Sequence, residues 1–480
     1  MIDKNVKIAI IGGGVAGSSA ALYFGKLGLD VTLIEKEESL ISGPPFCHLH
    51  AGGNLYREIS DEQCVTLLKQ SIDFLRFYPY IVDYRPTVIV LPKSDKKTPL
   101  DLLPRLDLLT KEYEKLIHED SHNEVLGESK EYYKSYSRDE IKQLKKKAYA
   151  STPMTSDDWM TAVAKNIGLD KVQFPLIMVQ EYGLNLFRLA AGVALDLEHL
   201  KTVTLHTQSI VHNIQELPED KGWILSYIKD EKSRKEKFDY IINAAGFRTG
   251  KIDDLLGAPC ESMVEFKAAY VSHSNKYENI KFPEIIFHGE RGTPQGMGQF
   301  TPYPNGYFQL HGMTNYITLY EDGLVANSAL SCQPHLGQDF IDKIENDWTK
   351  DETQKRTDSA IKHLSQFIPD FSLADVGSRP LFGAQQIPGD DPTLRVAEVT
   401  FARKRYARCE IVKVSSVLDM IDAITSQFID LGYLDENIRK KNLTKTDTIH
   451  EESTLRLKAE SIAKRRGYPT SLANRTTVVQ

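Results

Sequence analysis

Residues Lys7 to Lys36 read KIAIIGGGVAGSSAALYFGKLGLDVTLIEK, and this stretch decides the fold. Ile8 to Ile11 is a short apolar run of the kind a buried parallel strand requires. Gly12, Gly14 and Gly17 follow as G-x-G-x-x-G and open a helix of small residues, Ser18 to Ala21. Gly12 permits the tight turn, Gly14 lets the backbone approach a pyrophosphate, and Gly17 lets the helix lie close to the sheet. The free N–H groups at the helix start then face the phosphate charge. Asp30 to Ile34 reads as a second strand. It ends in Glu35, placed to take a ribose hydroxyl pair, with Lys36 beside it as a further contact. Strand, glycines, helix, strand and terminal acid in one unit predict a dinucleotide site. A Gly-rich turn in an ordinary α/β domain leaves the position of Glu35 to chance.

The chain of 480 residues has room for two or three domains around large cores. Its net charge of -7 argues against a nucleic-acid partner, because phosphate contacts need a basic face. No apolar run reaches membrane-spanning length, and Met1 leads directly into the first strand, so a cytoplasmic protein is expected. Cys47, Cys64, Cys260, Cys332 and Cys409 show no C-x-x-C spacing, which suits reduced thiols. Cys47, His48 and His50 lie together, but no fourth ligand has recognisable spacing, so no metal is predicted.

Those residues sit in a Gly- and Pro-rich loop, SLISGPPFCHLHAGGNL, near the mouth of the dinucleotide site. Gly52 and Gly53 there suit close ligand approach. Ser60 and Gln63 form a capping box for a helix with Val65, Leu68, Ile72 and Leu75 on one face. Arg85-Pro86 precedes a strand-like run, Thr87 to Leu91. Pro99 to Ile117 reads as a helix with Leu103, Leu106, Leu109 and Tyr113 as its core stripe. From His118 to Met160 the chain is polar, and its lysines read as a solvated helix face. Leu184 to Leu195 reads as a helix, followed by a strand at Thr202 to Leu205. Ser209 to Gln215, which carries Val211, and Gly222 to Ile228 alternate as an antiparallel meander, with Asp230 to Lys237 as a charged turn. Tyr240 to Ala244 then runs into Asn243-Ala244-Ala245-Gly246, where small residues let a backbone pass the dinucleotide. Beside the meander, this second strand end favours FAD over NAD.

These motifs resemble those of the D-amino acid oxidase and glycine oxidase superfamily, the FAD-dependent oxidoreductase (DAO) group. The family's substrate-domain hairpin is matched by Pro302-Tyr303-Pro304-Asn305-Gly306, then Tyr307 to His311 and Gly312-Met313-Thr314. Asn305-Gly306 is independently a hairpin turn signal. Gly377-Ser378-Arg379-Pro380 and Gly389-Asp390-Asp391-Pro392 match the family's Arg-Pro and acidic-Gly-x-Pro segments, and the final strand-to-helix turn falls at Tyr406 to Ser416. Tyr303 replaces the hairpin arginine, and Glu410 stands where the family often has glycine. Leu49 occupies the position at which covalent relatives carry histidine, so noncovalent FAD is expected.

The resemblance implies an α/β fold. It combines a Rossmann-type FAD-binding domain, with a parallel sheet and a meander, and a substrate domain with an antiparallel sheet and helices. The FAD domain is expected at residues 1–60, 180–260 and 371–435, and the substrate domain at 61–179 and 261–370. The implied cofactor contacts are Gly12, Gly14, Gly17, Glu35, Lys36, Gly52, Val211, Ala245, Gly246, Arg408, Ser415 and Ser416. Arg379 is expected to grip a substrate carboxylate, with Arg408 as a second cation. Tyr303, Tyr307 and His311 are expected to hydrogen-bond the substrate, with His311 as the local base. Tyr307, Gln309 and His311 share a face opposite Phe308 and Leu310, so burial of the latter two turns the polar trio to water or to the site.

The expected reaction is oxidation of a small amino or imino acid, with oxygen or quinone as acceptor. The alternatives are a 2-hydroxy-acid dehydrogenase passing electrons to quinone, as in malate:quinone oxidoreductases, and a flavin-binding module without turnover. Residues 436–480 hold ten Lys and Arg against five Asp and Glu. This basic tail reads as a docked helix, or as a contact with an anionic membrane surface.

Overall fold

The computed structural model describes residues 6–52, 59–391, 397–440 and 450–477. Gly53 and Pro392 lie outside these residues. One sheet has six strands in the order Ala397–Arg403, Tyr406–Ile411, Tyr240–Asn243, Lys7–Ile11, Asp30–Ile34 and Val203–His206. Ala397–Arg403 is an antiparallel edge, and the other five strands are parallel. Because side chains alternate along a strand, Ile8 and Ile10 enter a core with Phe24, Ile242 and Phe428 on the helical face. Ala9 and Ile11 pack oppositely, against Trp223, Leu225 and Phe238 of the meander.

The meander is Ser209–Glu216, Trp223–Lys229 and Lys232–Phe238. The charged run read as a turn is therefore mostly a strand, and only Asp230 and Glu231 turn, with φ of 50° and 60°. Lys232–Phe238 pairs on one side alone, so water solvates its charges and Phe238 at its end is buried.

The second sheet has ten strands and carries the face that matters for chemistry. Its main path is Leu324–Ala326, Ser262–His273, Tyr307–Gly312, Gly298–Pro302, Glu284–Phe287, Thr87–Val90, Leu176–Val179 and Tyr133–Tyr136. Asp375–Val376 and Leu381–Pro388 also pair with Ser262–His273. Leu381–Pro388, which the division at residue 371 puts in the dinucleotide unit, thus hydrogen-bonds into the other sheet. Phe300, Phe308 and Leu310 face away from the first sheet and are buried with Ile361 and Leu364 of helix Lys350–Ser365. The hairpin turn is where Asn-Gly predicts it, with φ of 60° at Asn305 and 71° at Gly306.

Within the polar stretch 118–160 lie the strand Tyr133–Tyr136 and the helices Arg138–Leu144 and Ser156–Asn166. Buried Tyr132 donates to the Ala51 carbonyl at 2.8 Å, fixing the loop after the second strand.

The tail is docked. Its helix Glu452–Arg465 buries Leu455, Ala459, Ile462 and Ala463 in the main core, against helix Leu186–Glu198. Arg188 grips Glu452 with both terminal nitrogens, at 2.7 and 2.8 Å. Lys458 pairs with Glu198 at 2.5 Å, and Arg465 pairs with Glu38. Arg466 donates to the carbonyls of Leu40 and Ile41 at 2.5 and 3.0 Å. Much of the basic charge is thus spent on the body of the protein. Among the described residues, no helix is long and apolar enough to cross a membrane.

Truncation after Leu434 should lower the melting temperature and leave partition onto anionic liposomes unchanged. Leu455→Ala alone should cost about 2–5 kcal/mol, measured by denaturant unfolding. Loss of liposome binding with unchanged stability would contradict the docked tail.

Candidate active site

Two glycine environments define a cradle at the ends of adjacent strands. A Cβ on Gly12 would lie 2.4 Å from the Ala244 carbonyl oxygen, and one on Gly17 would lie 1.9 Å from the Gly12 oxygen. Gly12 also has a φ of +99°, so both positions are closed by the fold itself. By contrast, a Cβ on Gly14 or Gly246 would meet nothing within 4 Å. Gly14 is the N-cap of helix Val15–Lys26 and makes no side-chain cap, so the helix start opens onto that space.

Glu35 ends the neighbouring strand, buried, and accepts from the N–H groups of Gly13 at 2.5 Å and Glu37 at 2.7 Å. Burial raises its pKa despite these bonds. Open glycines, a helix N-terminus and a carboxylate at the strand end fit a dinucleotide.

The other expected contacts fall variously. Val211 is half-buried against the Ile11–Ile34 cluster, on a strand whose Ser209 N–H donates to the Glu35 backbone carbonyl at 2.9 Å. Ala245 lies at the strand end, which Asn243 fixes by donating to the Thr249 carbonyl and the Tyr406 hydroxyl. Ser415 and Ser416 are buried in the turn before helix Val417–Asp430. Lys36 is exposed and pairs with Glu37 at 2.9 Å. At Gly52 the missing side chain admits Leu109, whose Cδ1 would lie 2.3 Å from a Cβ. Arg408 is held by Asp253 at 3.4 Å and Glu410 at 3.1 Å in a buried ion-pair network. Glu410, where glycine is common in the family, is pushed up to about 7 by burial.

A second group of residues forms a buried polar box between the loop after the second strand and the ten-stranded sheet. Arg85 and Glu284, 1% and 0% exposed, form an ion pair. Arg85 also donates to the Cys47 carbonyl at 2.8 Å. Burial works to raise the Glu284 carboxyl, but His48 and Arg85 hold it well below its ordinary range. His48 Nδ1 lies 2.8 Å from Glu284 Oε1, and Thr301 donates to the same oxygen at 3.1 Å. Gln299 donates to Glu284 and to Cys47 Sγ, the latter at 2.8 Å.

Next along this face, Gln299 is register partner to His311, and Thr301 to Gln309. Tyr303 donates to Gln309 at 3.1 Å. Three polar atoms of this cluster are buried without a partner: His48 Nε2, Gln309 Nε2 and His311 Nδ1. Burial depresses the His311 pKa to about 4, so the imidazole stays neutral and weakly basic. Tyr307 is half-buried with its ring 4.7 Å from that of His273.

Cys47, His48 and Glu284 offer donor atoms within 4.8 Å of one another. Arg85 already balances Glu284, and the Gln299 amide fills the space between them, so hydrogen bonds close the cluster. Arg379 stands elsewhere. It pairs with Asp347 at 3.5 Å, beside the rings of Phe382 and Tyr468 at 5.3 and 5.8 Å, with Nε buried and unpartnered.

Sequence reasoning singled out Tyr303, Tyr307 and His311 on or beside this face, and it did not single out Arg85, Glu284 or Gln299, which the structure brings next to them. One signal was present: Arg85 and Glu284 are opposite charges at the mouths of two apolar strands, Thr87–Val90 and Glu284–Phe287, which pair in parallel.

A family model described as FAD dependent oxidoreductase, DAO, matches residues 7–400. Glycerol-3-phosphate dehydrogenase from Bacillus halodurans, complexed with FAD, shares the fold at a TM-score of 0.58 and 13% identity, over 91% of this chain and 66% of that one. Glycine oxidase from Geobacillus kaustophilus matches at 0.54 and 10% identity, over 93% of this chain and 100% of that one. L-proline dehydrogenase from P. horikoshii matches at 0.53 and 13% identity, over 90% and 94%. At these identities the likeness is one of fold. No curated protein sequence matches the chain.

The site carries a pH signature in stability. The unfolded chain protonates His311 near pH 6.5, whereas the folded chain resists until about 4. The contribution is therefore present above pH 6.5 and lost as pH falls toward 4, by up to about 3 kcal/mol. His311→Gln should flatten the fall in unfolding free energy between pH 6.5 and 4, measured by denaturant titration at each pH.

Proposed function

This chain belongs to the FAD dependent oxidoreductase (DAO) family, and from that premise we propose that it oxidises a small carboxylate-bearing amino or imino acid. Bound FAD supplies a two-electron acceptor for the carbon that carries the nitrogen. The open cradle at Gly14 and Gly246, with Glu35, would hold its dinucleotide portion. Lys36, Gly52, Val211, Ala245, Arg408, Ser415 and Ser416 are assigned to the same cofactor on the family resemblance. Oxygen or a quinone would take the electrons onward, and the protein would act in the cytoplasm.

One observation carries the substrate reading. His48 Nε2, Gln309 Nε2 and His311 Nδ1 are unpartnered in one contiguous buried cluster. Buried polar atoms are normally paired, so such a set is suited to a small polar molecule. Tyr303 orients Gln309 from beneath. Arg379 remains the carboxylate clamp of this reading. Its segment lies one strand beyond Val271, which is the register partner of Gln309. Two strand spacings, roughly 10 Å, separate their backbones, a gap suited to an arginine side chain and a small substrate. A guanidinium fork fits a carboxylate and costs little orientation.

An anaerobic screen of amino, imino and hydroxy acids, read by flavin absorbance, tests this reading. Amino or imino acids should bleach the flavin, and reoxidation by oxygen against a quinone then assigns the acceptor. Bleaching by 2-hydroxy acids alone would replace the substrate class, and no bleaching at all would leave a flavin-binding module.

Gly14→Val should fold with an unchanged apo melting temperature and lose FAD, because its side chain enters the open cradle. Retention of FAD would refute the placement of the phosphates. Arg379→Met should keep FAD but weaken simple carboxylate ligands by about 30-fold or more, within the roughly 2–5 kcal/mol expected for an anion left unpaired. Lysine should rescue only in part. Equal affinity in wild type and Arg379→Met would remove the clamp.

A further inference from the structure

We propose that His48, held by Glu284, is the proton acceptor for the substrate's ammonium group. The proposal rests on the amine reading above. An α-ammonium group has no lone pair on nitrogen and resists loss of two electrons from its carbon. A base beside it must take one proton first.

The geometry supplies that base. Glu284 is ionised and can only accept, so the Nδ1 that lies 2.8 Å from it carries the imidazole hydrogen. With His48 neutral, as the proposal requires, Nε2 is a bare acceptor, and that atom is buried with no partner. Gln299 Nε2 also lies 3.2 Å from Nδ1, but its hydrogens have Cys47 Sγ at 2.8 Å and the Glu284 carboxylate.

Glu284 is positioned in turn by Arg85 and Thr301. The Arg85 guanidinium offsets the Glu284 charge. In the proposed step an N–H bond of the ammonium breaks, its electron pair stays on the nitrogen, and the proton forms a bond to Nε2. The imidazolium so made is stabilised by the adjoining carboxylate. Glu284 therefore acts as a positioning residue.

Other groups face His48 from the elements around it. Cys47 and His50 lie on its own loop, with the His50 ring 4.7 Å away. Arg85, Glu284, Tyr303 and His311 come from the sheet side. His311 is a weak base, because burial holds its conjugate acid near 4. The same box thus divides labour between a base at His48 and a hydrogen-bonding group at His311.

Two measurements on the FAD-loaded enzyme test the assignment. Nitrogen-15 spectra of histidine-labelled protein at pH 8, with His48 identified by its loss in His48→Gln, should show the tautomer with hydrogen on Nδ1 and none on Nε2. Hydrogen on Nε2 would overturn the proposal. So would one tightly bound metal per chain, because Nδ1, Cys47 and Glu284 would then be ligands.

Stopped-flow flavin reduction by the amine found in the screen should slow on acidification, because a proton on Nε2 removes the acceptor. His48→Gln should cut the limiting rate by about 100-fold or more and abolish that acid limb. An unchanged rate and acid limb would overturn the role. If no amine reduces the flavin, the substrate reading fails and the amine-proton role with it. The tautomer then reports separately whether the dyad geometry stands.

Discussion

The structure depends on the ion pair between Arg85 and Glu284. Both groups are removed from water, and a buried guanidinium without partners costs several kcal/mol. Arg85 is therefore surrounded by acceptors from separate parts of the chain: Glu284 from the ten-stranded sheet, Asp83 at 3.4 Å, and the Cys47 carbonyl from the loop after the second strand. Gly183 packs on it so closely that a Cβ would lie 2.7 Å from the guanidinium carbon. Asp83 also accepts from the Thr476 N–H at 2.9 Å, which extends the network to the tail. Such pairs contribute little net stability, but they punish any arrangement that separates them. The loop bearing His48 is thereby held against the strands bearing Gln299 and His311.

How much of this was legible in the sequence follows from the range of each signal. The dinucleotide cradle was legible because its rule is local: Gly12 and Gly17 are closed by neighbours a few residues or one strand away, and Gly14 is left open. The Asn305-Gly306 turn and the opposed faces of the hairpin strand were legible for the same reason. Lys232–Phe238 misled because edge strands tolerate charge on both faces, and composition alone cannot separate that from a turn. Leu381–Pro388 is placed by its hydrogen bonds to Ser262–His273, a long-range pairing that no local pattern announces. The polar box was not legible, since residues 47–48, 85, 284, 299–303 and 309–311 meet only through tertiary pairing.

The tail illustrates how charge composition misdirects. Ten basic residues on an acidic chain suggest an anionic surface elsewhere. The folded chain supplies that surface itself, through Glu38 and Glu198, and the helix carries one acid, Glu452, back to Arg188. Asn305 of the hairpin donates to Ser471 at 3.0 Å, and Tyr468 donates to the Pro380 carbonyl at 2.8 Å beside Arg379. The tail therefore bridges the helical face of the first sheet and the hairpin end of the second. Its contribution is to hold the two sheets in register around the space between them.

Charge limits what these residues can hold. Arg85 offsets Glu284, His311 stays neutral, and Arg379 pairs with an exposed aspartate at 3.5 Å beside the Phe382 and Tyr468 rings. A carboxylate entering near Arg379 finds a cation whose Nε lacks a partner. In the proposed step an ammonium near His48 would give its proton to an imidazole backed by a carboxylate, so that its charge stays within the protein. Under the proposed reading a zwitterion would use both ends of this arrangement. A simple hydroxy acid brings the anion alone and draws on the dyad only for a hydroxyl proton, with no positive charge to transfer. That asymmetry, built from one closed ion pair and one open imidazole nitrogen, is the physical ground for preferring an amine at the centre of the site.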